Sequence, residues 1–143
     1  MTSTREPFRW PVRVYYEDTD ATGVVYYANY LRYLERARTE WLAAMGFSVA
    51  ALEAEHGIVF VVHRLQIEYR RPARLSADVV VTLAMTDLGR TRLGVRQQVV
   101  RGEEIVTSAQ VALACVERTS LRPARIVEPL ATKLRGEPLE SAS

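Results

Sequence analysis

The segment from Tyr27 to Met45 limits the possible folds more than any other part of the sequence. Its large apolar side chains recur every three or four residues, while charged side chains occupy much of the opposite face, which predicts an amphipathic helix packed on a core. A second, shorter helix is predicted between an N-cap at Ser48 and a stop at Gly57. The apolar positions of the long helix are Tyr30, Tyr33, Leu34, Ala37, Trp41, Leu42 and Met45.

Strands are predicted on both sides of these helices, because apolar and polar residues alternate there. The first strand runs from Phe8 to Tyr16, and Pro11 within it favours an edge position. Four more strands follow between residues 58 and 116, separated by short turns that are typical of antiparallel hairpins. The fold class is therefore α+β, with a long helix on an antiparallel sheet of about five strands.

The 143 residues suit a single domain over positions 1–143. We expect its core to extend from about residue 8 to residue 117, and the C-terminal tail to be partly disordered, since it is rich in Pro, Arg and small polar residues. The last strand carries apolar residues at both parities, such as Val111 and Leu113 beside Ala112 and Ala114, which indicates oligomerisation.

Composition excludes several classes of function. The net charge of +2 is too small to indicate nucleic-acid binding, and no run approaches the roughly 18 apolar residues of a membrane span. The segment MTSTREPFRW lacks the apolar region of a secretion signal, and Cys115 is the only cysteine, so a cytoplasmic protein is predicted. No phosphate-binding loop or dinucleotide motif is present, and His56 and His63 lack metal-ligand spacing, so neither cofactor nor metal is expected.

Three acidic residues, Glu17, Asp18 and Asp20, lie just before the long helix. Acidic residues are favoured near helix N-termini, which is a sufficient structural explanation for most such clusters. The functional alternative is that the loop holds a carboxylate near the first N–H groups of the helix, which lack partners within the helix. A base or nucleophile beside such donors is what acyl transfer requires.

Tyrosines and arginines supply the remaining candidates. Most tyrosines between positions 15 and 33 suit core packing, but Tyr26 or Tyr30 is predicted to line a substrate pocket. Arginines at turns are mostly surface charges, and the alternative is that some bind ligand phosphates through their forked donors. Arg90 and Arg92, beside a hairpin turn, are the pair predicted to bind these phosphates. The arginines considered are Arg70, Arg71, Arg74, Arg90, Arg92, Arg118, Arg122 and Arg125.

The run YYEDTDATGVVYYANYLRYLERARTEW, residues 15–41, closely resembles the signature of hot-dog thioesterases such as 4-hydroxybenzoyl-CoA thioesterase. Within that family, FRWPVRVYYEDTDATGVVYYANY and the later IEYRRPARL are most similar to the Tol-Pal-associated acyl-CoA thioesterase branch. The resemblance extends from about Phe8 to Glu117. It implies a long helix wrapped by a curved antiparallel sheet, assembly into dimers or tetramers, and an active site between subunits.

The resemblance also assigns roles to residues. It places the catalytic aspartate at Asp20 and the oxyanion donor at the backbone N–H of Tyr27. Many members of the Tol-Pal-associated branch carry histidine at the position of Tyr27, and the amide role needs no particular side chain.

The function implied is hydrolysis of an acyl-CoA thioester, or of one carried by acyl carrier protein. One alternative is a hot-dog dehydratase, which requires a histidine paired with a carboxylate, whereas His56 and His63 are distant from Asp20 in sequence. The other alternative is a non-catalytic module that binds acyl-CoA or a cell-envelope partner.

Overall fold

The computed structural model describes residues 7–141. Residues 1–6 and 142–143 lie outside that range. Residues 1–6 belong to the N-terminal segment that was predicted to lack a secretion signal. The helices and strands are β1 (Phe8–Arg13), α1 (Asn29–Ala44), α2 (Val49–His56), β2 (Ile58–Tyr69), β3 (Asp78–Leu88), β4 (Arg92–Arg101), β5 (Glu104–Glu117) and α3 (Glu128–Arg135).

The five strands form one antiparallel sheet in the order β1-β3-β4-β5-β2. Strands β1 and β2 are its edges, and Pro11 lies in edge strand β1, where its missing N–H costs no central hydrogen bond. The predicted α+β architecture of a long helix and a five-stranded antiparallel sheet is confirmed.

Helix α1 lies across one face of the sheet, over β1, β3 and β4. The side chains that it buries there are Tyr30, Tyr33, Leu34, Ala37, Trp41 and Leu42. It begins at Asn29, two residues later than predicted. The short helix agrees with its predicted caps, because the Ser48 hydroxyl accepts from the Ala51 N–H at 3.0 Å and Gly57 takes a left-handed conformation with φ of 65°.

The predicted end of the core near residue 117 is wrong. Helix α3 packs its apolar face into the same core, with Leu130 and Leu134 fully buried and Ala131 nearly so. Farther on, the Glu140 N–H donates to the Met85 carbonyl at 2.7 Å, so this segment is tied to β3. The core therefore extends about seventeen residues beyond the predicted boundary, from Glu117 to Leu134.

None of the helices in residues 7–141 combines the length and the apolar character that crossing a membrane would require.

Candidate active site

The loop between β1 and α1 folds back on itself as a small hairpin. The Tyr26 N–H donates to the Asp18 carbonyl at 2.9 Å, and the Asp20 N–H donates to the Val24 carbonyl at 2.9 Å. Gly23 closes the turn with φ of 80°, a conformation that other residues rarely adopt. The hairpin therefore places Asp20 on one arm, while the other arm leads directly into the start of α1.

Asp18 holds this loop together. Its side chain is buried, and Oδ2 accepts from the Tyr15 N–H at 2.9 Å. Its carbonyl accepts both from the Tyr26 N–H and from Nδ2 of Asn29, the first residue of α1. Of the three clustered acids, Asp18 thus has a structural role, whereas Glu17 and Asp20 face solvent.

Asp20 presents an ionised, solvent-exposed carboxylate. Oδ1 accepts from the Thr22 hydroxyl at 2.6 Å and from the Thr22 N–H at 2.8 Å, and the backbone N–H groups of Val24 and Asp20 stabilise the carboxylate further. These bonds to Thr22, that of the hydroxyl first, hold the pKa of Asp20 below its ordinary value, because they stabilise the charged form. At neutral pH the exposed, ionised carboxylate can act as a base or a nucleophile.

Replacing Thr22 by Val should raise the pKa of Asp20. The substitution removes the hydroxyl that contributes most to lowering it, and Thr22 is exposed, so the fold should be unaffected. If turnover requires ionised Asp20, activity is lost as the pH falls through its pKa, and Thr22→Val should lose activity at a higher pH than the wild type. A profile of kcat/KM against pH measures this difference, and superimposable acid limbs would contradict it.

The start of α1 offers free hydrogen-bond donors. Within residues 7–141, the N–H groups of Tyr27 and Ala28 have no hydrogen-bond partner, whereas that of Tyr26 is used by Asp18. The N-terminus of a helix carries a partial positive charge, which favours negative charge on a ligand. An oxyanion beside the Tyr27 amide would therefore be stabilised by both the hydrogen bond and the helix dipole.

Tyrosine rings form a wall beside these donors. The Tyr26 and Tyr27 ring centroids are 4.9 Å apart, and Tyr69, at the end of β2, lies 6.0 Å from Tyr27. Tyr30, in contrast, is 3% exposed and its hydroxyl accepts from the Ala73 N–H. Of the two tyrosines predicted to line a pocket, only Tyr26 faces solvent in the single chain, and Tyr69 was missed.

The two chosen arginines lie far from this loop within one chain. The register of β1 with β3 places Asp78 near the Asp20 loop, and the eleven residues of β3 then span about 33 Å to the hairpin turn. At that turn, Arg92 approaches His63 at 3.4 Å, while the Arg90 carbonyl accepts from the Ile126 N–H. The hydrogen bond of Arg90 is made by its backbone, whereas that of Arg92 is made by its side chain.

Arg74 is the arginine that the fold brings to the loop. It forms an isolated β-bridge with Val24, and the next residue, Leu75, donates its N–H to the Gly23 carbonyl at 3.3 Å. Its side chain is exposed and forms no ion pair with an acid that the structure describes. The segment IEYRRPARL, which contributed to the family resemblance, was the available signal for this position.

Residues 7–141 contain no cluster of three or more His, Cys, Asp and Glu side chains that could hold a metal ion.

Several known proteins are similar to this chain in sequence and in fold. The acyl-CoA thioester hydrolase YbgC of Escherichia coli O6:H1 is 41% identical over 129 residues, which cover 90% of this chain and 96% of that protein. A probable thioesterase from Bartonella henselae superposes with a TM-score of 0.80 at 32% identity, over 83% of this chain and 98% of the other. A Thermus thermophilus protein reaches a TM-score of 0.84 at 30% identity, over 90% and 98% of the two chains.

Residues 22–108 match the family model of the thioesterase superfamily. This match includes the Asp20 loop from Thr22 onward and all of α1, and it confirms the resemblance read from the same segment. The chain belongs to the thioesterase superfamily and has the hot-dog fold.

Proposed function

We propose that this protein is an acyl-CoA thioesterase that hydrolyses an acyl-CoA to a free acid and coenzyme A, in the Tol-Pal-associated branch of its family. The observation that carries the proposal is the exposed, ionised Asp20 carboxylate on the loop that also carries the unpaired N–H groups of Tyr27 and Ala28, just before α1. The relatives named acyl-CoA thioester hydrolase support the same activity.

In the proposed reaction, the thioester carbonyl oxygen accepts a hydrogen bond from the Tyr27 N–H. The negative charge that develops on this oxygen is stabilised there, and removing one such donor typically costs about 3–4 kcal/mol of transition-state stabilisation. Asp20 either attacks the carbonyl carbon, expelling the coenzyme A thiolate and leaving an anhydride that water then hydrolyses to the free acid, or takes a proton from a water that attacks the carbonyl carbon directly. Because a thiolate is a good leaving group, the reaction needs no strong general acid.

We place the phosphates of coenzyme A near Arg74. Its free guanidinium lies at the hairpin that carries Asp20, and a guanidinium suits bidentate phosphate contacts. Arg90 and Arg92 could contribute only from a second subunit, because within one chain they lie at the far end of the sheet. An acyl carrier protein is the alternative carrier of the acyl group.

We also propose a cytoplasmic location, which the single, buried thiol of Cys115 fits.

Product analysis separates this function from its two rivals. A thioesterase releases equal amounts of coenzyme A and free acid, a dehydratase changes the unsaturation of an intact thioester, and a binding module leaves the thioester unchanged. The dehydratase is disfavoured by position, because His63 lies six residues, or about 20 Å, along β2 from Tyr69, which borders the site. Mass spectrometry of the products after hours of incubation decides among the three.

We further propose that the protein is a homo-oligomer, a dimer or a tetramer, in which the β2 edge meets a second copy. This twelve-residue edge strand has no partner on its outer side among the described residues, and long exposed edges with apolar side chains favour pairing with another chain. Its exposed apolar residues are Val61, Val62, Leu65 and Tyr69.

The double variant Val61→Lys, Leu65→Lys should dissociate this assembly. Two lysines on each copy would bring like charges together at the edge, so sedimentation velocity should show the 16.2 kDa monomer in place of the oligomer. Leu139→Lys, which changes a more exposed leucine outside β2, is the control and should leave the mass unchanged. A monomeric wild type, or an oligomer that survives both lysines, would refute the edge interface.

A further inference from the structure

The hydroxyl of Tyr33 is a buried polar group that the proposed reaction does not use. Tyr33 lies in α1, and its side chain is 1% exposed within a single chain, so a second subunit cannot reach the hydroxyl. Among residues 7–141 this hydroxyl has no hydrogen-bond partner. Burying an unpaired hydroxyl is unfavourable and most buried polar groups are paired, so this exception calls for an explanation.

Asp18 is the charged group that this hydroxyl faces. Burial, and after it the Asp18 carboxylate, raise the pKa of Tyr33, so the hydroxyl keeps its proton at neutral pH and can donate it. Asn29, one helical turn before Tyr33, already donates from Nδ2 to the Asp18 carbonyl at 2.9 Å. The same face of α1 therefore presents two donors to Asp18, and only the one from Asn29 is engaged.

Asp18 connects Tyr33 to both groups of the proposed reaction. Its carbonyl accepts from the Tyr26 N–H at 2.9 Å, and Tyr26 directly precedes Tyr27, the proposed oxyanion donor. Asp20 follows Asp18 by two residues on the other arm of the hairpin. A hydrogen bond from Tyr33 to the Asp18 side chain would thus fix both arms of the loop relative to α1.

We propose that Tyr33 is a positioning residue for the thioester hydrolysis proposed above, on which this inference rests: in the transition state its hydroxyl donates to the Asp18 carboxylate and holds the Asp20 loop against the start of α1. Hydrogen bonds that serve catalysis are often long or poorly aligned in a free enzyme and tighten only in its complexes. A donor that is unpaired in the free enzyme and gains a charged acceptor in the transition state raises kcat without tightening substrate binding.

Tyr33→Phe tests this role, because phenylalanine keeps the ring and its edge contact with Tyr30 and removes only the hydroxyl. The substrate is butyryl-CoA, palmitoyl-CoA or benzoyl-CoA, whichever the wild type hydrolyses fastest. We expect kcat to fall about tenfold, the usual scale for a hydrogen bond to a charged group, and KM to change by less than about twofold. The melting temperature should not fall, because the free enzyme loses no hydrogen bond within residues 7–141.

A double-mutant cycle with Asp18→Asn tests whether Tyr33 acts through Asp18. In the Asp18→Asn background, Tyr33→Phe should have little further effect on kcat, because the charged acceptor of the hydroxyl is gone. Tyr15→Phe is the control. It removes an exposed hydroxyl from the same loop but keeps the N–H that donates to Asp18, so its kcat should equal that of the wild type.

Wild-type kcat in Tyr33→Phe would overturn the role of Tyr33, as would a loss of kcat that accompanies a lower melting temperature or persists in the Asp18→Asn background. If Asp18→Asn does not fold, then kcat, KM and the melting temperature of Tyr33→Phe decide. An inactive wild type would refute the proposed function and this role with it. A fully active Tyr33→Phe beside an active wild type would refute the role of Tyr33 alone.

Discussion

Asp20→Asn should lower kcat by about 10²–10⁴-fold, the range over which a positioned base contributes to catalysis. Asparagine keeps an oxygen that can accept from the Thr22 N–H, so the turn of the loop should survive. What is lost is the negative charge and with it the base or nucleophile. Asp20 faces solvent, so its replacement should not alter the melting temperature, and the loss of rate can be assigned to chemistry.

Glu17→Gln is the matched control for this variant. Glu17 is also exposed, lies three residues earlier in the same loop and has no role in the proposed reaction. Its kcat should stay near that of the wild type. A similar loss in both variants would mean that the negative potential of the loop, rather than the Asp20 carboxylate, matters for turnover.

Leu134→Ala should destabilise the protein by about 2–5 kcal/mol, the usual cost of truncating a fully buried leucine. Leu134 is 0% exposed and belongs to the same core as α1 and the sheet. The cavity left behind cannot be filled by collapse of α3 alone, because the helix is tied to the sheet by the following segment. Urea denaturation followed by circular dichroism gives the change in the free energy of unfolding.

Leu139→Ala serves as the control, since Leu139 is 61% exposed and should change stability by less than about 0.5 kcal/mol. If the two variants unfolded at the same urea concentration, α3 would not be part of the core that unfolds cooperatively. The cooperative core would then end near residue 117, as the sequence predicted.

Local patterns in the sequence predicted most of the fold. The spacing of apolar residues in α1, the Ser48 and Gly57 caps of α2 and the alternation in the strands are signals that each segment carries by itself. Helix α3 was missed because its apolar positions occupy only two turns between charged residues. So short a helix is stable only through packing on the core, which no local pattern reveals.

The candidate site was predictable where the residues are neighbours in sequence. The acidic cluster and the helix start predicted a carboxylate beside free N–H groups, whereas the choice of Asp20 and Tyr27 came from the family resemblance. Residue types alone could not predict that Asp18 is buried and Asp20 exposed, because both are aspartates. The approach of Arg74 to Val24 joins positions fifty residues apart in the chain, and it follows only from the assembled fold.

The most direct test of the thioesterase proposal is thiol release from short-chain, long-chain and aromatic acyl-CoAs, with the wild type measured beside Asp20→Asn. The account predicts that the wild type releases coenzyme A from at least one of these classes and that release collapses in the variant. No release from any of them would point to an acyl carrier protein substrate or a binding module, and release that ignores Asp20 would contradict the assignment of the catalytic carboxylate.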